Sequence, residues 1–197
     1  MQIAIGIGPA VVNGALPSAV NAGPNQVVTE AASEATLAAV ILDDGNEYDL
    51  LWTKLSGPGD VTFDDDTAAD AVATFSEPGY YKLLLTADDG EHPPVKGAMQ
   101  VLVDAEPVVD AGEDQELEFS EELTFDLAGE VTDNGPVTRT WTKESGPGTV
   151  TFGDASDPAS AGNTVSEFGT YVLRLTADDG VNDPVFDEVT IDVTEPA

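Results

Sequence analysis

The sequence predicts an all-β protein in which two tandem β-sandwich domains follow an extended N-terminal arm. Three observations support this fold class: the second half of the chain repeats the first, short apolar runs alternate with polar residues, and turn residues separate these runs. The 19 glycines and 13 prolines are typical of strands joined by turns. We expect the arm to span residues 1–19, repeat one residues 20–105 and repeat two residues 106–197.

Comparison of the chain with itself reveals the internal repeat. The motif that begins at Trp52 returns 89 positions later at Trp141, with seven of its eight residues unchanged. After one inserted residue, residues 85–90 reappear identically as residues 175–180. Each copy has the size of an independent sandwich domain. Because the junction at residues 104–107 is short and ends in a proline, we expect a semi-rigid pair of domains.

Alternation with period two indicates the strands, and it is clearest at residues 81–85 and 171–175, which both read Tyr-x-Leu-x-Leu. About seven strands in a repeat of this length, with a single tryptophan in the third, are typical of an immunoglobulin-like sandwich. We therefore expect Trp52 and Trp141 to anchor the two cores. The tyrosines that open the two alternating runs suit the tyrosine-corner position of such sandwiches.

The order of motifs resembles the polycystic-kidney-disease (PKD) type of immunoglobulin-like domain. Both repeats carry Trp-Thr-Lys-x-Ser-Gly-Pro-Gly, then Val-Thr-Phe, then Ser-Glu-x-Gly-x-Tyr-x-Leu-x-Leu-Thr-Ala-Asp-Asp-Gly. The resemblance implies extracellular spacer or adhesion modules, which occur in tandem in large surface proteins or are appended to secreted hydrolases. It implies no catalytic residue. The Trp-Asp-Phe-Gly-Asp-Gly run of the commoner subgroup is absent from this sequence, so the subgroup stays open.

The charge of the chain is strongly one-sided, with 38 acidic residues against six Lys and Arg and a net charge of −32. Such a surface repels polyanions, so we expect no nucleic-acid partner and no attraction to anionic membranes. No apolar run reaches the roughly 18 residues of a membrane-spanning helix, so we expect no membrane insertion. A surface this acidic suits high salt or divalent cations, which favours an extracellular or cell-surface location. An acidic cytosolic protein is the alternative.

We expect no enzymatic activity. The chain lacks cysteine, and its single histidine, His92, lies in a loop that repeat two does not reproduce, where a solvated side chain is expected. Carboxylates are abundant, but acid–base catalysis needs two of them in a cleft with different environments. A sandwich of this size offers no obvious cleft.

Acidic residues recur in the loops at the N-terminal end of each repeat. Calcium takes six to eight oxygen ligands, which carboxylates and loop carbonyls could supply. The candidate calcium ligands at the junction between the repeats are Asp104, Glu106, Asp133, Asp178 and Asp179. Because Asp-Gly is also a favourable turn and no EF-hand spacing is present, solvated turns are the alternative. No cofactor is required, and calcium is the one candidate.

The N-terminal arm differs most from the acidic composition of the chain, because residues 1–29 contain no charged side chain. Ile3, Ile5 and Ile7 alternate with small or polar residues, and Val11 continues the apolar character, which predicts a strand with one bulky face. The arm could pack on its own repeat, be a remnant of a targeting segment, or insert into a neighbouring molecule as a polymerisation strand. Head-to-tail insertion that does not close makes filaments.

The preferred functional hypothesis is a structural subunit of an extracellular filament or surface fibre, which assembles head to tail with copies of itself through this arm. The alternative is a non-polymeric spacer or adhesion module of a larger cell-surface protein, with other surface proteins or polysaccharide as its partners.

Overall fold

The computed structural model describes residues 19–42, 48–90, 92–118 and 123–195, and every regular element in these ranges is a strand. The predicted all-β class is therefore confirmed. Within the same ranges there is no helix of the length and apolarity needed to cross a membrane. The predicted polymerisation strand of Ile3, Ile5, Ile7 and Val11 lies outside the described residues.

The described residues of repeat one form nine strands. They are β1 (Ala19–Asn21), β2 (Gln26–Thr29), β3 (Glu34–Thr36), β4 (Val40–Leu42), β5 (Asp49–Ser56), β6 (Val61–Phe63), β7 (Val72–Phe75), β8 (Gly79–Asp88) and β9 (Val95–Asp104). One sheet has the order β2-β9-β8-β5 and the other β3-β7-β6, while β1 pairs with β4. Only the β2–β9 pair is parallel among these described pairs.

Repeat two reproduces this arrangement strand for strand in its described residues. Its strands are β10 (Val108–Asp110), β11 (Gln115–Glu118), β12 (Thr124–Phe125), β13 (Glu130–Thr132), β14 (Thr138–Ser145), β15 (Val150–Thr151), β16 (Asn163–Val165), β17 (Gly169–Asp178) and β18 (Val185–Thr194). The sheet orders are β11-β18-β17-β14 and β12-β16-β15, with β10 paired to β13.

Each repeat has nine strands rather than about seven because its first two strands are each divided. In repeat one, β1 pairs antiparallel with β4, but after Gly23 and Pro24 the chain joins the four-stranded sheet as β2. Gly23 has a φ of +96°, and a Cβ there would lie 2.9 Å from the Ala38 carbonyl oxygen. Glycine permits this backbone conformation and close approach, and proline supplies no N–H for a ladder.

Each repeat buries its own core between its two sheets. The inward residues of β8 and β17 are almost fully buried: Tyr81, Leu83, Leu85, Tyr171, Leu173 and Leu175. Trp52 and Trp141 are 1% and 2% exposed, which confirms them as core anchors. Their indole N–H groups donate to the carbonyl oxygens of Ala68 at 3.0 Å and Pro158 at 3.1 Å. Burial of each such large apolar side chain contributes about 1.5–3 kcal/mol.

The repeated Trp-Thr-Lys-x-Ser-Gly-Pro-Gly motif builds the predicted tyrosine corner. In repeat two, the Tyr171 hydroxyl donates to the Glu167 carbonyl oxygen at 2.7 Å. Lys143 Nζ lies 5.5 Å from the centroid of the same ring and donates to the Gly148 carbonyl oxygen at 2.6 Å. A Cβ on Gly146 would lie 2.7 Å from the tyrosine ring. Repeat one has the same lysine–tyrosine arrangement, so this motif serves the fold.

Candidate functional site

Several of the acidic loop residues predicted at the N-terminal ends of the repeats close their own turns. Asp65 Oδ1 accepts hydrogen bonds from the hydroxyl and the amide of Thr67, at 2.6 and 2.9 Å, and these bonds lower the pKa of that carboxyl. Asp154 makes the same pair of bonds with Ser156. Asp178 accepts the amide of the glycine two residues later at 2.8 Å. Turn formation therefore accounts for these carboxylates.

His92 is held by its own loop. Its Nδ1 lies 2.8 Å from Asp89 Oδ2, and its backbone N–H donates to Asp89 Oδ1 at 2.8 Å. The side chain is 31% exposed, so it is half-buried rather than fully solvated as the sequence predicted. These bonds fix the turn between β8 and β9.

The junction between the repeats is closed by two asparagines of repeat two. Asn134 Oδ1 accepts the N–H of Ala105 at 3.1 Å, and its Nδ2 donates to the Val103 carbonyl oxygen at 3.0 Å. Asn182 Nδ2 donates to the Ala105 carbonyl oxygen at 3.2 Å. The three bonds run from two loops of repeat two to the backbone of Val103 and Ala105. They tie the end of β9 to repeat two at two separate points.

Asp104, the last residue of β9, is buried at this junction. Val101 and Val103 face the core of repeat one, so Asp104 belongs to the outer face of the sheet. It is nevertheless only 1% exposed, whereas Thr194 at the corresponding position of β18 is exposed. The difference follows from the loops of repeat two that cover the end of β9.

Two carboxylate oxygens at the junction lack a hydrogen-bond partner. Asp104 Oδ1 and Asp133 Oδ1 are the only such buried side-chain atoms among the described residues. Gly135 lies between the two side chains: a Cβ built on it would be 2.8 Å from Asp104 Oδ1 and 3.6 Å from Asp133 Oδ2. A glycine at this position therefore allows the loop backbone to approach both carboxylates closely.

The pKa values of two carboxyl groups at the junction are shifted in opposite directions. Burial raises the pKa of Asp104, and the negative charges of Asp133 and Asp179 raise it further. Burial also acts to raise the pKa of Asp179, but hydrogen bonds from the Asn182 side chain and from the amides of Val181 and Asn182 outweigh it and lower that pKa. The ionised form of Asp179 is therefore stabilised at the junction, whereas the ionised form of Asp104 is destabilised.

Three of the five predicted calcium ligands come together at this junction, namely Asp104, Asp133 and Asp179. Glu106 and Asp178 are exposed. Within the described ranges, no three His, Cys, Asp or Glu side chains already have the arrangement of a metal site. The calcium site therefore stays a prediction.

Sequence reasoning missed the asparagines that make the junction. Asn134 lies in an Asp-Asn-Gly run directly after β13, which reads as an ordinary turn. Asn182 occupies the position that His92 has in repeat one. The change from histidine in repeat one to asparagine in repeat two, in a loop that faces the linker, is the feature of the sequence that could have pointed to the junction.

Comparison with known proteins accounts for the fold of the first repeat. Residues 22–103 match the family model described as "K319L-like, PKD domain". Repeat one is similar to this PKD family over nearly its whole length. Repeat two has the same motifs and the same sheet order, so the chain presents two repeats of one fold in tandem. The matched range ends one residue before Asp104, so the carboxylates of the junction lie beyond it.

A curated relative matches across both repeats. The chain is 29% identical over 174 residues to the Dyslexia-associated protein KIAA0319-like protein of Mus musculus, a match that covers 84% of this chain and 16% of that protein. The chain thus spans about a sixth of the length of this relative.

Solved structures of immunoglobulin domains share the two-domain fold. An I-band fragment of titin, I67–I69, superposes with a TM-score of 0.62 at 9% identity, over 92% of this chain and 67% of the fragment. The IG1+IG2 structure of DIP-gamma gives 0.56 at 14% identity, over 89% and 97%. At these identities the likeness shows the immunoglobulin-like fold alone.

Proposed function

We propose that the two PKD repeats form a non-catalytic spacer and adhesion module of a larger cell-surface protein, located outside the cell. The observation that carries the proposal is the junction, where Asn134 and Asn182 bond to the backbone of the linker. A module that presents a binding surface at a distance needs a defined angle between its domains, and these bonds supply one.

The junction bonds are suited to holding an angle because they are partly buried and join backbone to side chain. Each such bond contributes about 0.5–1.5 kcal/mol net, so three of them restrict domain motion appreciably. Pro107, which is buried, restricts the linker further. The acidic surface keeps neighbouring molecules apart and suits an ionic extracellular medium. Other surface proteins or polysaccharide are the partners we propose.

Residual dipolar couplings test the defined angle. In a rigid pair, the amides of both repeats fit one alignment tensor. The double variant Asn134→Ala and Asn182→Ala should give two different tensors, because it removes the three junction bonds. Asn25→Ala is the matched control, since Asn25 Oδ1 accepts the Gln100 amide at 2.8 Å within repeat one. Two independent tensors in the unmodified protein would refute the rigid spacer.

The filament subunit remains the second candidate, and the observation that favours it is the charge-free, alternating arm at residues 1–12. Negative-stain electron microscopy of the intact chain and of a chain lacking these residues tests it. Fibres that disappear on deletion support strand insertion. Fibres that persist exclude the arm as the polymerisation strand, and isolated rods from both chains favour the spacer.

A further inference from the structure

The junction contains an unusual pair of carboxylates. Elsewhere in the loops, Asp65, Asp154 and Asp178 accept hydrogen bonds from their own turns. At the junction, Asp133 Oδ2 likewise accepts the Gly135 amide at 3.2 Å, but Asp104 Oδ1 and Asp133 Oδ1 are shielded from solvent and accept no hydrogen bond within the described part of the chain. A buried carboxylate oxygen without a partner is unfavourable, and two of them beside one another are more so.

The basic residues of the described chain do not offset this charge. The ion pairs found there are those of Arg174 with Glu144 and Glu188, and of His92 with Asp89. Lys54 and Lys143 donate to carbonyl oxygens in the tyrosine corners. The side-chain amides of Asn134 and Asn182 are equally committed, because they already donate to the carbonyl oxygens of Val103 and Ala105.

We propose that Asp104 and Asp133 bind one calcium ion between the two PKD repeats, with Asp179 as a third negative charge beside it. The site joins the end of β9 in repeat one to the β13–β14 loop of repeat two, so an ion there would connect the domains directly. The backbone of Gly135 lies against both carboxylates, since a Cβ there would be 2.8 Å from Asp104 Oδ1 and 3.6 Å from Asp133 Oδ2. Glu106 and Asp178 are exposed, and the proposed site does not include them.

The chemistry of the donors favours calcium over other cations. Carboxylates are hard oxygen ligands, and the described residues bring no imidazole to the junction that would favour zinc. Calcium accepts an irregular shell of protein oxygens completed by water, whereas magnesium requires near-octahedral geometry. With two carboxylates as direct ligands, we expect the weak binding of extracellular modules, with a Kd of about 10⁻⁴–10⁻³ M.

Isothermal titration of calcium into the full chain, in sodium chloride concentrated enough to screen diffuse binding to a net charge of −32, tests the site. We expect one stoichiometric site. Asp104→Asn and Asp133→Asn should each weaken it by at least about tenfold, because each removes a direct anionic ligand. Asp178→Asn, one residue from Asp179 but exposed, and Glu106→Gln are the matched controls and should leave it unchanged.

Melting in a chelator keeps the inference testable whatever the variants do to folding. Asp104→Asn should melt higher than the unmodified chain without calcium, because it removes a buried charge, and should lose the rise that calcium gives the unmodified chain. Absence of a stoichiometric site overturns the inference, as does equal calcium binding by Asp104→Asn.

The ion site rests on the proposed spacer function, because it would hold the two repeats at a defined angle. The two proposals can nevertheless fail separately. If one alignment tensor describes both repeats and calcium does not bind, the spacer stands and the ion site falls. If the repeats follow two tensors in chelator but one tensor when calcium is bound at Asp104, the angle held by the asparagine bonds falls and the ion site stands.

Discussion

The two tyrosine corners differ by one hydrogen bond, and this difference predicts unequal losses of stability. The Tyr81 hydroxyl donates to the Glu77 carbonyl oxygen at 2.7 Å and accepts the buried Gly59 N–H at 3.1 Å. Among the described residues, the Tyr171 hydroxyl has one partner, the Glu167 carbonyl oxygen at 2.7 Å. Replacement by phenylalanine removes these bonds and keeps the ring.

The magnitudes follow from the bonds lost. Tyr81→Phe removes two bonds of about 1 kcal/mol each and leaves a buried amide without a partner, so it should lower the free energy of unfolding of repeat one by about 2–4 kcal/mol. Tyr171→Phe removes one bond and should lower that of repeat two by about 0.5–1.5 kcal/mol. At a urea slope of about 1 kcal/mol/M, the first change moves a midpoint by roughly 2 M or more.

Urea titration followed by the two indole N–H signals measures both losses in one sample. The chain has two tryptophans, one in each core, so each signal reports the unfolding of one repeat. The repeat that is not mutated is the internal control in each experiment. A loss for Tyr171→Phe equal to or larger than that for Tyr81→Phe would show that the second bond of Tyr81 contributes nothing.

Three further predictions concern pH, packing and surface charge. Because the folded-state pKa of Asp104 is raised, protonation of this group favours folding below its ordinary value of 3.8, and that contribution is lost as the pH rises through the folded pKa. In chelator, Asp104→Asn should therefore gain stability over the unmodified chain as the pH is raised from 3 to 7 in a series of urea titrations. Gly129→Ala should destabilise repeat two by about 1–3 kcal/mol in the same assay, since its Cβ would lie 3.0 Å from Trp141 Cζ2. Arg174→Ala should cost only about 0.2–1 kcal/mol, because its pair with Glu188 is partly exposed, and half-molar salt should shrink the loss.

The sequence predicted the sandwiches because their cores repeat and alternate. Trp52 and Trp141 begin identical motifs, and both are buried beside alternating leucines, as period two requires. The division of the first strand was not predicted, because the chain crosses between sheets at Gly23, where a single glycine gives no warning of a change of partner.

The candidate site was predicted only in part, because its geometry depends on how two domains meet. Acidity at the junction pointed to Asp104 and Asp133, but it pointed equally to Glu106 and Asp178, which are exposed. Composition cannot distinguish a carboxylate that caps a turn from one that is enclosed. Burial of Asp104 results from the loops of repeat two, whose positions no local pattern in β9 encodes.

The residue at the end of β9 is itself informative once that burial is known. A polar but uncharged residue is sufficient at the corresponding position of β18, where Thr194 is exposed. At the enclosed end of β9, threonine or an apolar residue would avoid the unfavourable burial of a carboxylate, yet the chain has Asp104 with Asp133 near it. The asparagine bonds stabilise the junction and would do so equally beside a neutral residue, so they give no reason for a charge there. A bound cation does, because it turns the repulsion between two enclosed carboxylates into a link between the repeats.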